Sequence, residues 1–88
     1  MSLGIKVKEV EFVGFRDVDR KPLYVNNRVQ ILKNMKSRYY GNMYEVSENE
    51  SGIIIRNELG YFVEVTNYKE TRWLKINKTN VKNLKKIR

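Results

Sequence analysis

The chain has 88 residues, of which 18 are lysine or arginine and 10 are aspartate or glutamate, giving a formal net charge of +8. A chain of this length is expected to form one domain with a small hydrophobic core. It contains no cysteine and no histidine, which excludes disulfides, thiolate chemistry, the commonest general base and the commonest transition-metal ligand. The composition therefore favours a non-enzymatic binding protein that uses no cofactor and no metal.

The cellular location is predicted from two further absences. No apolar run approaches the roughly 20 residues that a membrane-spanning helix needs. The first residues lack the charged start and long apolar core of a signal peptide. We therefore expect a cytoplasmic protein without membrane contact, and set residues 1–3 aside because they can be a cloning remnant. The many asparagines and lysines are typical of a low-GC bacterium or its phage.

The first third of the chain predicts interrupted strands and a long loop. Apolar and polar residues alternate from Ile5, and the alternation changes phase before Val10. Such a shift predicts a bulge or two short strands, with Gly14 marking an end or a bend. Residues 15–27 contain the only proline and an Asn-Asn pair, which predicts a loop.

The rest of the chain predicts short strands joined by turns. β-branched and aromatic runs separated by Gly, Asn and Ser are typical of strands and hairpins. A polar, basic loop is predicted over residues 33–41. The strands are predicted over residues 28–32, 42–47, 53–56, 61–65 and 72–77.

The C-terminal segment completes the predicted fold. Thr79 or Asn80 is expected to cap a single helical turn that carries Val81, Leu84 and Ile87. Five or six closely spaced strands and one helical turn predict a mainly β fold, a small SH3-like barrel that occupies the whole chain as one domain. Closing the sheet would also remove its exposed edges.

Residues 28–46 resemble the KOW-type pattern of small SH3-like barrels, and the resemblance extends over roughly residues 26–87. The pattern consists of an apolar strand, a basic loop, a glycine and a second apolar strand. The resemblance implies a barrel that binds RNA, ribosomal parts or transcription machinery, while other members of the fold bind peptides, so function stays open. The matching positions here are Val29, Ile31, Gly41, Tyr44 and Val46.

Positive charge is concentrated in two segments. Residues 33–44 contain three basic residues and residues 71–88 contain seven, both without an acid, whereas residues 45–70 contain two basic and six acidic residues. Such asymmetry produces an oriented field that attracts nucleic acid.

The predicted nucleic-acid site combines these cations with aromatic rings. Lysine and arginine neutralise phosphates, and ring faces stack on unpaired bases. If Leu74 faces the core, strand alternation places Trp73 and Lys75 on the outer face. The predicted site residues are Lys33, Lys36, Arg38, Tyr39, Tyr40, Arg72, Trp73 and Lys75.

Each candidate also has a structural interpretation. Tyr39 and Tyr40 can pack over the barrel mouth, and Trp73 can cover a flank of the barrel. The C-terminal Lys82, Lys85, Lys86 and Arg88 can add non-specific phosphate affinity or form a frayed, solvated end. The leading hypothesis is a nucleic-acid-binding protein, RNA or DNA, of bacterial or phage origin. The alternatives are a protein–protein interaction module of a bacterial or phage assembly, and a purely structural domain.

Overall fold

The computed structural model describes residues 11–87, which form nine β-strands and one short 3₁₀ turn, Asn80–Asn83. The strand expected from Ile5 lies largely outside the described residues. The mainly β fold class is confirmed, and the described part of the chain has more strands than the five or six predicted. The strands are β1 (Phe12–Arg16), β2 (Pro22–Tyr24), β3 (Arg28–Ile31), β4 (Met35–Tyr39), β5 (Asn42–Val46), β6 (Ser51–Asn57), β7 (Gly60–Thr66), β8 (Thr71–Lys75) and β9 (Leu84–Lys86).

The strands are arranged in three antiparallel sheets. One five-stranded sheet has the order β8-β7-β6-β3-β9, and two separate hairpins pair β1 with β2 and β4 with β5. Across residues 11–87 the main-chain ladders do not close into a barrel. The β4–β5 hairpin meets the β8 edge through a side chain: the Ser37 hydroxyl donates to the Trp73 carbonyl oxygen at 3.3 Å and accepts the Lys75 amide at 2.8 Å. The SH3-like barrel stays a prediction.

The hydrophobic core lies against one face of the five-stranded sheet. Alternate residues of its strands point inward, as the period of two requires. Both hairpins cover this face, Val13 and Leu23 from one and Met35 and Val46 from the other. The hairpins are therefore fixed to the sheet by their apolar residues, which leaves their polar residues outside. Fully buried sheet residues are Val29, Ile31, Ile54, Val63, Leu74 and Leu84.

The predicted basic loop over residues 33–41 is largely strand β4. Met35, Ser37 and Tyr39 alternate with Lys36 and Arg38, and only the two cations of these five residues are exposed. The loop prediction was wrong because the inward residues are not the β-branched types that indicate a strand. The alternation of Met35, Ser37 and Tyr39 with the two cations was the signal that could have identified this strand.

The predicted loop over residues 15–27 also contains strand structure. It includes the end of β1 and all of β2, and the register shifts between Phe12 and Arg16. Gly14 lies within β1 with φ +92°, a conformation that costs glycine little and other residues more. Gly14 therefore marks an irregularity inside the strand rather than the end of the strand.

The C-terminal helical turn is shorter than predicted and leads into a strand. Of the three apolar residues assigned to it, Val81 lies in the 3₁₀ turn and Leu84 already begins β9, which pairs with β3. Neither Thr79 nor Asn80 supplies the cap. The side-chain oxygen of Asn77 accepts the amides of Thr79 at 3.0 Å and Asn80 at 2.8 Å. The C-terminal lysines up to residue 86 thus belong to an ordered segment, not a frayed end.

Candidate nucleic-acid interface

Aromatic rings meet where the β4–β5 hairpin covers the β8 end of the sheet. Tyr39 stacks on Trp73 with 4.4 Å between ring centroids and 18° between planes, and meets Phe62 edge-on at 4.9 Å. Tyr44 contacts the indole edge-on at 5.3 Å, and Tyr40 contacts Tyr39 at 4.7 Å. We call these five rings the aromatic cluster. Such pairs stabilise a fold beyond the area they bury, and here they occupy ring faces that the sequence hypothesis assigned to bases.

Carboxylates hold the polar atoms of this cluster. The Trp73 indole Nε1 donates to Glu64 at 3.0 Å, and the Tyr40 hydroxyl donates to Glu58 at 2.8 Å. The hydrogen bond to Glu58, with desolvation and the nearby negative charge, raises the pKa of Tyr40. The cluster therefore has negative charge beside its rings, which a phosphate backbone would meet with repulsion.

Arg72 lies on the inward face of β8 with Leu74 and is 8% exposed. Its Nη1 donates to Glu50 at 2.8 Å and its Nη2 donates to the same carboxylate, a bidentate pair. The hydrogen bond between the two groups lowers the pKa of Glu50 and raises that of Arg72. The sequence predicted that Arg72 would lie beside Trp73 in the binding site. This placement is wrong, because alternation along β8 puts Arg72 on the opposite face from Trp73.

Lys75 lies on the outer face with Trp73, as strand alternation predicted, and both side chains are half-buried. The Lys75 ammonium donates to the Leu59 carbonyl oxygen at 2.8 Å and lies 4.9 Å from the centroid of the Phe62 ring. This cation is thus engaged within the protein.

The remaining predicted cations are exposed but lie away from the rings. Lys36 and Arg38 point to the solvent face of β4, opposite to Tyr39, and exposed Lys33 precedes the strand. Lys36 is directly opposite exposed Glu45 on β5. Of the predicted cations, the structure therefore brings Lys75 to the face that carries Trp73, whereas Lys33, Lys36, Arg38 and Arg72 lie away from that face.

A different set of cations gathers around β9, at the other edge of the five-stranded sheet. The turn between β1 and β2 docks there, since the Val18 amide donates to the Leu84 carbonyl at 3.0 Å. On the sheet side, the Ile87 amide donates to the Arg28 carbonyl at 2.9 Å. All of the cationic residues around this edge are exposed except Lys86, which is half-buried. We call the six of them the basic surface: Arg16, Arg20, Lys21, Arg28, Lys85 and Lys86.

Asp17 holds this surface together and is 5% exposed. One of its carboxylate oxygens accepts the amides of Asp19 at 2.9 Å and Lys21 at 2.8 Å. The other accepts the Lys86 amide at 2.7 Å, which fixes the β1–β2 turn to β9. The hydrogen bonds of this carboxylate thus go to main-chain amides rather than to the cationic side chains.

Sequence reasoning missed the basic surface because its members lie far apart in the chain. Arg16, Arg20 and Lys21 fell in a predicted loop, and the C-terminal lysines were weighed both as additional phosphate contacts and as a frayed end. Among residues 11–87, the exposed acid recorded beside them is Asp19, which is 4.0 Å from the Lys85 ammonium with both side chains about half exposed. Such exposed pairs contribute little.

Neither comparison with known proteins nor a search of the described residues for metal-binding groups and membrane-spanning helices indicates another kind of site. Comparison with protein-family models, with curated proteins and with solved structures finds no match. Residues 11–87 contain no group of three acidic side chains placed to hold a metal ion. In the same range, no helix is long and apolar enough to cross a membrane. The KOW-type resemblance therefore stays a prediction, and functional reasoning depends on the residues themselves.

Proposed function

We propose that this protein is a non-enzymatic nucleic-acid-binding protein that contacts the phosphate backbone through the basic surface. The supporting observation is the convergence of six cations from the β1–β2 hairpin, β3 and β9 around one sheet edge. Each cation that neutralises a phosphate releases bound counterions, so affinity falls steeply with salt concentration. The nearest buried acid, Asp17, is already satisfied by main-chain amides.

The basic surface is favoured over the β4–β5 hairpin by its balance of charge. On the β4–β5 hairpin, Lys36 lies opposite Glu45 on the neighbouring strand. Glu58 and Glu64 accept hydrogen bonds from the rings of the adjacent aromatic cluster. Around β9, the basic surface contributes six cations, and among residues 11–87 the exposed acid recorded against it is Asp19, which is 4.0 Å from the Lys85 ammonium. A polyanion gains more from the second arrangement, because like charges near the ligand reduce the local potential.

Paired charge reversals test the location of the site. The variant Lys21→Glu/Lys85→Glu alters the basic surface, and the control Lys36→Glu/Arg38→Glu alters the hairpin. Each substitution replaces +1 by −1, so both variants fall from +8 to +4. Binding of a labelled single-stranded DNA oligonucleotide is measured by fluorescence anisotropy at several salt concentrations, after thermal unfolding has verified the fold.

The expected result is a loss of affinity in the first variant of at least about tenfold, and a salt slope lowered by roughly 1.4 for two lost contacts to single-stranded DNA. The control should lose several times less affinity. The sequence hypothesis predicts the reverse ranking. Absence of salt-dependent binding to DNA or RNA by the unmodified protein, even at low ionic strength, would overturn the proposal.

A second candidate function is docking of a protein at the tips of two hairpins. Tyr40 and Met43 are each 55% exposed and Leu59 is 41% exposed. The two tips are joined by the hydrogen bond from Tyr40 to Glu58. Exposed apolar groups of this kind are typical of protein contacts. This candidate gains support if nucleic acid does not bind and if Met43→Lys abolishes capture of a specific partner.

A further inference from the structure

The basic surface adjoins an aromatic pair that the sequence hypothesis did not include. Phe12 and Tyr24 are opposite each other on β1 and β2, with ring centroids 5.8 Å apart and planes at 51°. Phe12 is 47% exposed, although it is a large apolar side chain. Within residues 11–87, Tyr24 is the one ring that contacts it. Phe12 thus presents ring surface to solvent.

This pair is joined directly to the cations of the basic surface. The Lys86 ammonium lies 5.7 Å from the Tyr24 ring centroid, and the Lys86 amide is bound to Asp17. Lys21 lies in the turn of the same hairpin, just before β2. An accessible ring and several ammonium and guanidinium groups therefore lie at the same hairpin and sheet edge.

The combination distinguishes between forms of nucleic acid. Both a duplex and a single strand offer phosphates to cations, whereas aromatic faces stack on bases only where the bases are unpaired. We infer, resting on the proposed function, that the basic surface binds single-stranded nucleic acid, with Phe12 stacking on a base while neighbouring cations contact the backbone. The rings of the aromatic cluster serve the fold instead, since Tyr39 and Trp73 already stack on each other.

The test removes the ring without changing charge. Phe12→Ala is compared with Phe12→Tyr, which keeps a stacking face, for binding to single-stranded DNA, single-stranded RNA and a DNA duplex of the same sequence. Phe12→Ala should lower affinity for single strands by about tenfold, the loss typical of one stacked base. Its salt slope and its duplex affinity should not change, and Phe12→Tyr should bind like the unmodified protein. The DNA and RNA arms show which strand is preferred.

Two results would overturn the inference while leaving the proposed function intact. One is a Phe12→Ala variant that binds single strands with unchanged affinity. The other is a duplex bound as tightly as the single strand, with both dependent on Lys21 and Lys85. Failure of the proposed function has a different signature, because the charge-reversed variant Lys21→Glu/Lys85→Glu would then bind like its control.

Discussion

The aromatic cluster and the basic surface lie at opposite edges of the same five-stranded sheet and use charge in opposite ways. At the β8 edge, Arg72 Nη1 and Nη2 donate to Glu50, and the Lys75 ammonium donates to a carbonyl oxygen. At the β9 edge, Asp17 accepts main-chain amides, and five of the six cations of the basic surface are exposed. The comparison teaches that a high density of cations does not by itself make a binding face. The decisive factor is how many of those cations are buried or engaged within the protein and how many stay exposed.

The largest effect is expected from Glu50→Gln at the β8 edge. This change leaves the buried Arg72 guanidinium without its bidentate carboxylate, and breaking one side of a buried pair costs about 3 kcal/mol of unfolding free energy. Chemical denaturation measures the loss. The matched control is Glu70→Gln, whose carboxylate is 3.7 Å from Arg72 Nε but 59% exposed; it should cost less than about 0.5 kcal/mol. Oligonucleotide binding should be unchanged in both variants, so a binding defect would break the separation of the two edges.

The same pair predicts a pH dependence of stability. The pKa of Glu50 is lowered in the folded protein from its usual value of 4.5. Its contribution is therefore complete above pH 4.5 and is lost as the pH falls through the lower folded-state pKa. Below pH 4.5 the unmodified protein should lose stability more steeply than Glu50→Gln. Parallel acid profiles for the two proteins would contradict this assignment.

Tyr39→Ala should give the next largest effect. The ring contacts Trp73 and Phe62, and its removal from a half-buried position should cost about 2 kcal/mol, less than a fully buried ring. Tyr68→Ala is the control, because Tyr68 is 92% exposed. Thermal unfolding measures both. If Tyr39→Ala instead weakened oligonucleotide binding at unchanged stability, the aromatic cluster would belong to the binding face after all.

Two glycine substitutions with the same expected loss of stability compare the β8 and β9 edges. Gly41 in the β4–β5 turn and Gly14 in β1 have φ of +81° and +92°, and a Cβ at either meets no atom within 4 Å. Alanine at each position should therefore cost about 1 kcal/mol from backbone strain alone. Only Gly14→Ala should also weaken binding, because it alters β1 between Phe12 and Arg16. Equal binding by the two variants would argue against a site on β1.

The smallest expected effect is at Trp73, the only tryptophan. Its emission should keep its wavelength and intensity when oligonucleotide is added, since Tyr39 and Tyr44 already contact the indole. Fluorescence titration measures this under conditions where anisotropy shows saturation. Quenching that follows binding would favour the original sequence hypothesis.

Much of the sheet and one hairpin strand, β5, were predictable, whereas β2, β4 and β9 were not. β3, β5, β6 and β7 coincide closely with predicted strands because their β-branched and aromatic residues alternate or form short runs. β4 alternates Met, Ser and Tyr with Lys and Arg, and β2 has only three residues and begins with proline, so neither segment has the β-branched run that indicates a strand. They form strands because Leu23 and Met35 are buried in the core, a contact that no local pattern contains.

The sequence by itself determined the fold class, the absence of cysteine and histidine chemistry, and the strong positive charge, because these depend on composition and short-range periodicity. Only the tertiary structure decided which charges remain outside. Arg72 and Lys86 both lie in C-terminal segments rich in cations, and the sequence does not separate their roles. In the structure, Arg72 is buried and donates to Glu50, whereas the Lys86 ammonium lies over the Tyr24 ring at the edge of the sheet. Strand pairing across many residues sets these neighbours, and electrostatic effects depend on distance in space rather than along the sequence.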